Sequence, residues 1–195
     1  DRLRSRGLGD VYKRQVLDFG LYCLENSLID HAYYGRNKKS YRFIQMADKL
    51  IQNMQKKAIT AIQKQGTFRA PDTFQEVIEN SEGIINRGTK MGEGWLLTSE
   101  MVTLIKNGVH NIVCCQPFGC LPNHIVAKGM TRKIKDKYPM ANIVAVDYDP
   151  SATKVNQENR LKLMLSNARL SERFAKEDEE ALASERQRKL ASSRS

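Results

Sequence analysis

The fold of this chain is decided by the stretch Cys114-Cys115-Gln116-Pro117-Phe118-Gly119-Cys120-Leu121-Pro122-Asn123-His124. The residues just before it, Asn111-Ile112-Val113, are typical of the end of a buried strand. Within it, Pro122 suits the first turn of a helix, where the N–H that proline lacks is not needed. A strand end, a loop with proline and glycine, and a helix start together form a common location for binding sites in α/β proteins.

The cysteines of this stretch are closely spaced, since three of the four in the chain lie within seven residues. Their spacings are C-C and C-x4-C, which differ from those of zinc ribbons and of ferredoxins. Sulfur ligands crowded beside a helix N-terminus favour a soft metal or an iron–sulfur cluster. The alternative is that the cysteines are small buried hydrophobic side chains in a tight turn, and the spacing alone leaves both interpretations open.

The segments around this stretch alternate between strand and helix. We predict a strand over residues 109–115, a helix over 122–138, a second strand over 143–146 and a helix over 153–165. The crossover in such βα units is right-handed, which makes the two strands parallel neighbours. The sequence therefore predicts an α/β fold with a three-layer, mostly parallel sheet, helices on both faces and a helical N-terminal part.

The N-terminal part has the apolar periodicity of helices. Spacings of three and four predict a helix over residues 16–34, and a longer one follows over 41–64. We expect Thr98 or Ser99 to cap a later helix, and Trp95 to anchor the packing beside it. The helix over 41–64 has an apolar stripe that we expect to be buried, formed by Phe43, Ile44, Ala47, Leu50, Ile51, Met54, Ala58, Ile59 and Ile62.

Polar side chains gather where the second strand ends. Asp147 and Asp149 lie at its carboxyl end, where open α/β sheets place ligand sites, and two carboxylates there suit a metal ion or a ribose. Asp149-Pro150-Ser151 is also an ordinary cap-and-turn sequence, and this structural interpretation is preferred. The helix that follows is expected to reach back over the strand ends with Asn156, Asn159 and Arg160.

Composition and charge exclude several classes of function. The net charge is +10, of which +7 lies in residues 16–169, spread over several helices without an arginine-rich stripe. This pattern favours a solvated basic face over a nucleic-acid surface. No apolar run approaches the roughly 20 residues that a membrane span needs, and no secretory signal is apparent. Adjacent cysteines make a poor disulfide framework and favour a reducing, cytoplasmic location.

Several blocks occur in an order that resembles a known family: Gly92-Glu93-Gly94-Trp95-Leu96-Leu97, the stretch from Cys114 to His124, Asn142-Ile143-Val144, and Asp147-Tyr148-Asp149-Pro150. Together they resemble the C-terminal part of the large activator-like proteins of the 2-hydroxyacyl-CoA dehydratase and benzoyl-CoA reductase system. That family is described as acyl-CoA dehydratase activase-related or 2-hydroxyglutaryl-CoA dehydratase. The resemblance covers roughly residues 40 to 169, and the Q-P-F-G-C-L-P-N-H block is its most specific part.

The resemblance implies an electron-transfer segment with an iron–sulfur cluster, expected to be [4Fe-4S]. Cys114 and Cys120 are the expected metal ligands, because relatives carry cysteine at the first position and usually an apolar residue at Cys115. Adjacent strand residues point to opposite faces, so Cys115 is expected to face the core. Cys23 is expected to fill the core, with a role as a further ligand as the alternative. The implied partners are upstream ATPase domains of the same protein or a dehydratase subunit, and acyl-CoA is a possible ligand.

The domain organisation that follows has three parts. Residues 1–15 lack a clear period and do not match the family, so we interpret them as a non-native leader. Residues 16–169 form the dehydratase-like α/β domain, the C-terminal part of a larger protein, and residues 170–195 form a charged tail, helical or disordered. No glycine-rich phosphate loop is present, so ATPase activity is not assigned to this chain, and it is not expected to be active alone. A function of another class is a metal-free accessory scaffold that binds partner subunits, and nucleic-acid binding ranks last.

Overall fold

A computed structural model describes residues 16–36, 38–67, 70–149 and 153–192 of the chain. It divides into two compact units, Asp1–Thr103 and Leu104–Ser195. The proposed leader over residues 1–15 lies outside the described residues. Among the helices in these ranges, none contains a stretch long and apolar enough to cross a membrane.

The first unit is helical. Its elements are α1 (Val16–Tyr34), α2 (Tyr41–Gln65), α3 (Phe74–Ser81) and α4 (Trp95–Lys106), whose first nine residues belong to this unit. This confirms the helical N-terminal part, and α1 coincides with the helix that the sequence predicts over 16–34. After α3 the chain forms a turn over residues 82–84.

The core of the first unit is built on Trp95, which is fully buried as the sequence predicts. Its ring centroid lies 5.5 Å from that of Tyr22 and 6.3 Å from that of Phe74. The indole Nε1 donates a hydrogen bond to Asn26 Oδ1 at 3.2 Å, so the polar edge of the ring is also satisfied. Burying a side chain such as Phe74 contributes about 1.5–3 kcal/mol relative to leaving it exposed.

The buried face of α2 differs from the apolar stripe that the sequence predicts. Phe43, Leu50 and Met54 are each more than half exposed, whereas Gln55 is buried. Gln55 is accommodated because its amide is fully used: Nε2 donates to Asp18 Oδ1 at 2.7 Å, and Oε1 accepts from the Phe74 N–H at 3.0 Å. A buried polar group with both partners present is not penalised for its lost hydration, so α2 packs on this face.

The start of α4 also differs from the prediction. The helix begins at Trp95, so Thr98 and Ser99 lie inside it and are fully buried rather than capping it. The hydroxyl of Ser99 donates to the carbonyl of Val77, which satisfies it within the core. The chain reaches Trp95 through Gly94 at φ +47°, where an added Cβ would lie 2.3 Å from the Thr89 carbonyl oxygen. Glycine is therefore required at that turn.

The second unit contains a parallel pair of strands, β1 (Asn111–Pro117) and β2 (Asn142–Tyr148). Their register pairs Ile112 with Ile143 and Gln116 with Asp147. Both strands appear where the sequence predicts strands, and their parallel pairing is confirmed. In the described ranges the sheet has two strands, so the fold is a mixed α/β fold that is mostly helical, and the three-layer arrangement stays a prediction.

The single helix that the sequence predicts over 122–138 is divided in two. A π-helix (Asn123–Lys128) follows β1, and a separate helix α5 (Thr131–Lys137) begins after a turn at Gly129. A Cβ on Gly129 would lie 2.2 Å from the carbonyl oxygen of Ile125, so the chain can approach itself here only at glycine. A π-helix has a longer turn than an α-helix, so its side chains are placed differently around the axis, and Ile125 is 57% exposed.

A long helix, α6 (Lys154–Ser192), packs beside β2 and runs back along it. Asn142 at the start of β2 donates to the carbonyl of Met164, while Gln157 donates to the carbonyl of Asp147 at the other end of the strand, each at 2.9 Å. The helix is continuous through residues 170–192, the region of the charged tail. These contacts place the first turn of α6 at the carboxyl end of β2 and its third turn at the amino end.

Candidate functional site

The candidate site is a cavity at the carboxyl ends of β1 and β2. It has a volume of about 340 Å³, within the range of small-molecule pockets. Strand residues, the loop after β1 and one side of α6 form its walls, and the residues that line it are Gln116, Phe118, Gly119, His124, Asp147, Asp149, Asn156, Gln157 and Arg160. The sequence predicts a site at this edge, and the structure forms a cavity there.

The two adjacent cysteines of β1 lie on opposite faces of the strand. Cys114 shares its face with Gln116 and is partly buried, whereas Cys115 is exposed. The expectation that Cys115 packs into a core is therefore wrong, because its side chain is exposed to solvent. Cys115 is instead a neighbour of Tyr148, whose pKa is raised mainly by the thiolate charge of Cys115.

The thiol of Cys114 is held in its neutral form. Burial raises its pKa to about 11, and the charge of the neighbouring Cys115 thiolate adds to the shift. At neutral pH this thiol is protonated, although the thiolate is the form that attacks electrophiles and binds metals. Without a positively charged group or metal ion to compensate the charge of its thiolate, Cys114 therefore behaves as a buried, protonated thiol.

Cys120 lies at the end of the loop that leaves β1. A turn closed by the hydrogen bond from the Cys120 N–H to the Pro117 carbonyl, at 3.2 Å, brings it back towards the strand, and Gly119 supplies the required φ of +68°. The side-chain Nδ2 of Asn123 donates to Cys120 Sγ at 3.0 Å. The backbone carbonyl of the same asparagine accepts from Gln116 Nε2 at 2.9 Å. Asn123 thus links the cavity wall to the cysteine.

The carboxylate of Asp147 is held by α6, as the sequence predicts for Arg160. The guanidinium of Arg160 lies 3.3 Å from Asp147 Oδ2 and donates to the Ala145 carbonyl at 2.6 Å. Asn156 also lines the cavity, whereas Asn159 is exposed and is not among the lining residues that the structure describes. Two of the three predicted side chains therefore reach the site.

Several residues of the site were not singled out from the sequence: Gln116, Phe118, Asn123, His124 and Gln157. The sequence does contain one signal that could have identified Gln116: it is a polar residue two positions from Cys114, on the same face of the strand.

The remaining candidate, Cys23, is exposed on α1 in the first unit. The expectation that it fills the core is wrong, because the inward positions of that turn are taken by the fully buried Leu21 and Tyr22.

The described cysteines do not by themselves form a metal site. None of the four forms a disulfide. The residues that the structure describes contain no group of three or more His, Cys, Asp or Glu side chains placed to hold a metal ion. A [4Fe-4S] cluster takes four ligands, so the described residues do not by themselves supply a complete set.

Comparisons with protein-family models, with curated proteins and with solved structures found no match.

Proposed function

We propose that this chain is an electron-transfer segment of a 2-hydroxyacyl-CoA dehydratase activator-like protein, in which Cys114 and Cys120 provide two ligands of an iron–sulfur cluster. The observation that best supports this is the amide of Asn123, which donates to Cys120 Sγ at 3.0 Å. Hydrogen bonds to sulfur are among the groups that set the reduction potential of iron–sulfur clusters. A fixed donor on the sulfur fits a ligand better than it fits a cysteine that only fills space.

The proposal requires cluster ligands in addition to Cys114 and Cys120. Since no third ligand accompanies the two cysteines among the described residues, the remaining ligands come from outside them, either from another part of the protein or from a partner chain. A bound cluster supplies one-electron transfer at low potential. The proposed partners are ATPase domains of the same protein or a dehydratase subunit, with an acyl-CoA as the substrate of the assembly and the cytoplasm as its location.

The sheet, like the ligand set, is smaller in the described residues than the proposal requires. Residues 111–117 and 142–148 form two parallel strands, and we propose that the three-layer sheet is completed when further strands pair with their free edges. Unpaired N–H and C=O groups on a strand edge favour pairing with another strand. The assembled protein is thus the appropriate form in which to look for activity.

The experiment is anaerobic reconstitution with iron and sulfide, followed by visible absorption. The wild-type chain, with its partner segments, is expected to gain a broad visible absorption that is lost in Cys120→Ala. The matched control is Cys115→Ala, because Cys115 belongs to the same cysteine pair but lies on the exposed face of β1. Equal absorption in all three proteins would contradict the assignment of Cys120.

A second candidate, a metal-free scaffold that binds partner subunits, is favoured by α2. Its apolar residues Phe43, Met46, Leu50 and Met54 are each more than half exposed, so one stripe of this helix is available for packing. A scaffold is expected to remain colourless after reconstitution while it folds normally. Partner binding that is weakened by Leu50→Asp and unaffected by Cys120→Ala would favour this function over electron transfer.

A further inference from the structure

Two residues that line the cavity at the strand ends each have a buried acceptor oxygen without a hydrogen-bond partner among the residues that the structure describes. Gln116 is fully buried, and its Nε2 donates to Asn123, whereas its Oε1 lacks such a partner. Asp147 lies opposite it in the strand register, and its Oδ1 is also buried without a partner, although Oδ2 is paired with Arg160. Leaving such a group without a partner costs about 1–3 kcal/mol, so a ligand that donates hydrogen bonds here would bind favourably.

We propose that this cavity binds an uncharged nucleoside, with two hydroxyl groups of the ribose donating to Gln116 Oε1 and Asp147 Oδ1. Gln116 and Asp147 are register partners on strands whose backbones lie about 4.8 Å apart. Two adjacent hydroxyl groups of one sugar ring can span such a separation, each with a hydrogen bond to one of the two residues. The proposal is independent of the cluster, since neither Cys114 nor Cys120 is among the described residues that line the cavity.

The charges around the two oxygens decide against a metal ion. The guanidinium of Arg160 is bound to the other oxygen of Asp147 and to the carbonyl of Ala145. A cation placed on Asp147 Oδ1 would lie close to this positive group, which would repel it. Neutral hydroxyl donors avoid that repulsion and satisfy both oxygens.

An aromatic side chain at the rim of the cavity favours a sugar that carries a planar base. Phe118 lines the cavity, yet its side chain is 72% exposed, so its face is available for stacking. Stacking of a base on an aromatic side chain contributes about 1–3 kcal/mol. Phosphate is disfavoured inside, because Asp147 and Asp149 both line the cavity and the guanidinium of Arg160 is already bound.

The test is isothermal titration calorimetry of the iron-free chain, residues 1–195, with adenosine, 2′-deoxyadenosine, AMP, and Mg²⁺ or Ca²⁺ alone. Adenosine is expected to bind, and the 2′-deoxy compound to bind about 5- to 100-fold more weakly, because one buried acceptor then stays unpaired. AMP is expected to bind more weakly than adenosine. Equal binding of the deoxy compound, tighter binding of AMP, no binding of adenosine, or binding of a cation in its place would overturn the proposal.

Two variants locate the binding. Phe118→Ala alters a mostly exposed side chain and is expected to weaken adenosine binding about 5- to 100-fold through lost stacking. Its matched control is Phe43→Ala, a phenylalanine of similar exposure on α2, which should bind adenosine as the wild type does. Gln116→Met removes the buried acceptor at similar volume, with circular dichroism to confirm folding. Adenosine binding unchanged in folded Gln116→Met or in Phe118→Ala would contradict the assignment of the site.

Discussion

Asn123 Nδ2 lies 3.0 Å from Cys120 Sγ, and this hydrogen bond ties the π-helix to the sulfur at the end of the preceding loop. The backbone of Asn123 has a separate role, since its carbonyl accepts from Gln116. Replacing the side chain therefore removes the contact with sulfur and leaves the link to the cavity wall in place.

The first prediction concerns the reduction potential of the reconstituted protein. Asn123→Ala is expected to lower it by roughly 20–60 mV, since the loss of one hydrogen bond of about 0.5–1.5 kcal/mol destabilises the reduced, more negative state. A redox titration followed by electron paramagnetic resonance measures the change. Asn159→Ala, which alters an exposed asparagine of α6 outside the cavity lining, is the control and should leave the potential unchanged. A potential that is the same in Asn123→Ala and wild type would show that Asn123 does not contact a ligand sulfur.

The second prediction concerns the reactivity of Cys114 in metal-free protein. Because burial raises the pKa of this thiol to about 11, its thiolate is scarce at pH 8. Alkylation by iodoacetamide, mapped by mass spectrometry, should therefore be about 100-fold slower at Cys114 than for a free thiol with the ordinary pKa of 9.0. Alkylation of Cys114 as fast as that of free cysteine would contradict the buried position of its sulfur.

The third prediction is the stability of the fold at high pH. A thiol whose pKa is raised in the folded state favours folding while it is protonated, and this stabilisation is lost as the pH rises from 9.0, its ordinary value, towards about 11. The free energy of unfolding should fall by roughly 2–3 kcal/mol more in the wild type than in Cys114→Ala across this range. Urea unfolding of both proteins at pH 8, 9, 10 and 11 measures the difference. Parallel pH profiles would show that Cys114 does not titrate as described.

The fourth prediction concerns the capping box of α3. The Thr73 hydroxyl accepts from the Glu76 N–H at 3.3 Å, and the Glu76 carboxylate accepts from the Thr73 N–H at 2.6 Å. The pKa of Glu76 is lowered by the hydrogen bond that its carboxylate accepts from the Thr73 hydroxyl, and further by the one from the Thr73 N–H. Thr73→Ala should destabilise the protein by about 1 kcal/mol in urea unfolding. Thr60→Ala, an exposed substitution within α2, should be neutral or slightly stabilising, and equal effects of the two would contradict the capping role.

The fifth prediction concerns the turn between the π-helix and α5. Gly129→Ala places a Cβ 2.2 Å from the Ile125 carbonyl oxygen, so the backbone must shift, and we expect a loss of roughly 1–3 kcal/mol in thermal unfolding. Gly20→Ala is the control, because nothing lies within 4 Å of a Cβ at that position of α1. It should stabilise the protein by up to about 1 kcal/mol. Tolerance of alanine at Gly129 would contradict the break in this helix.

The sequence predicts the helices and strands better than it predicts how they pack. Apolar periodicity gives α1 its bounds, and the βα order gives β1 and β2 and their parallel pairing. The prediction of which face of α2 is buried was wrong for a physical reason. Periodicity shows which residues are apolar, whereas the buried position of Gln55 depends on Asp18 and on the Phe74 backbone, which are distant in sequence.

For the candidate site, too, the sequence predicts the position better than the contacts. Its location follows from the order of elements, and the reach of Arg160 to the strand ends follows from its place in the first turns of α6. The π-helix leaves no compositional signal, so the sequence did not predict that Asn123 would contact the sulfur of Cys120. The unpaired oxygens of Gln116 and Asp147 depend on the strand register, which only a three-dimensional structure provides.

The central claim is that Cys114 and Cys120 hold iron, and the most direct test is the iron and acid-labile sulfide content after oxygen-free reconstitution with the partner segments present. We expect about four irons per chain or per dimer in the wild type and in Cys115→Ala, and loss of both iron and sulfide in Cys114→Ala and in Cys120→Ala. Iron at the wild-type level in either of the last two variants, or a well-folded wild-type assembly that binds none, would contradict the claim.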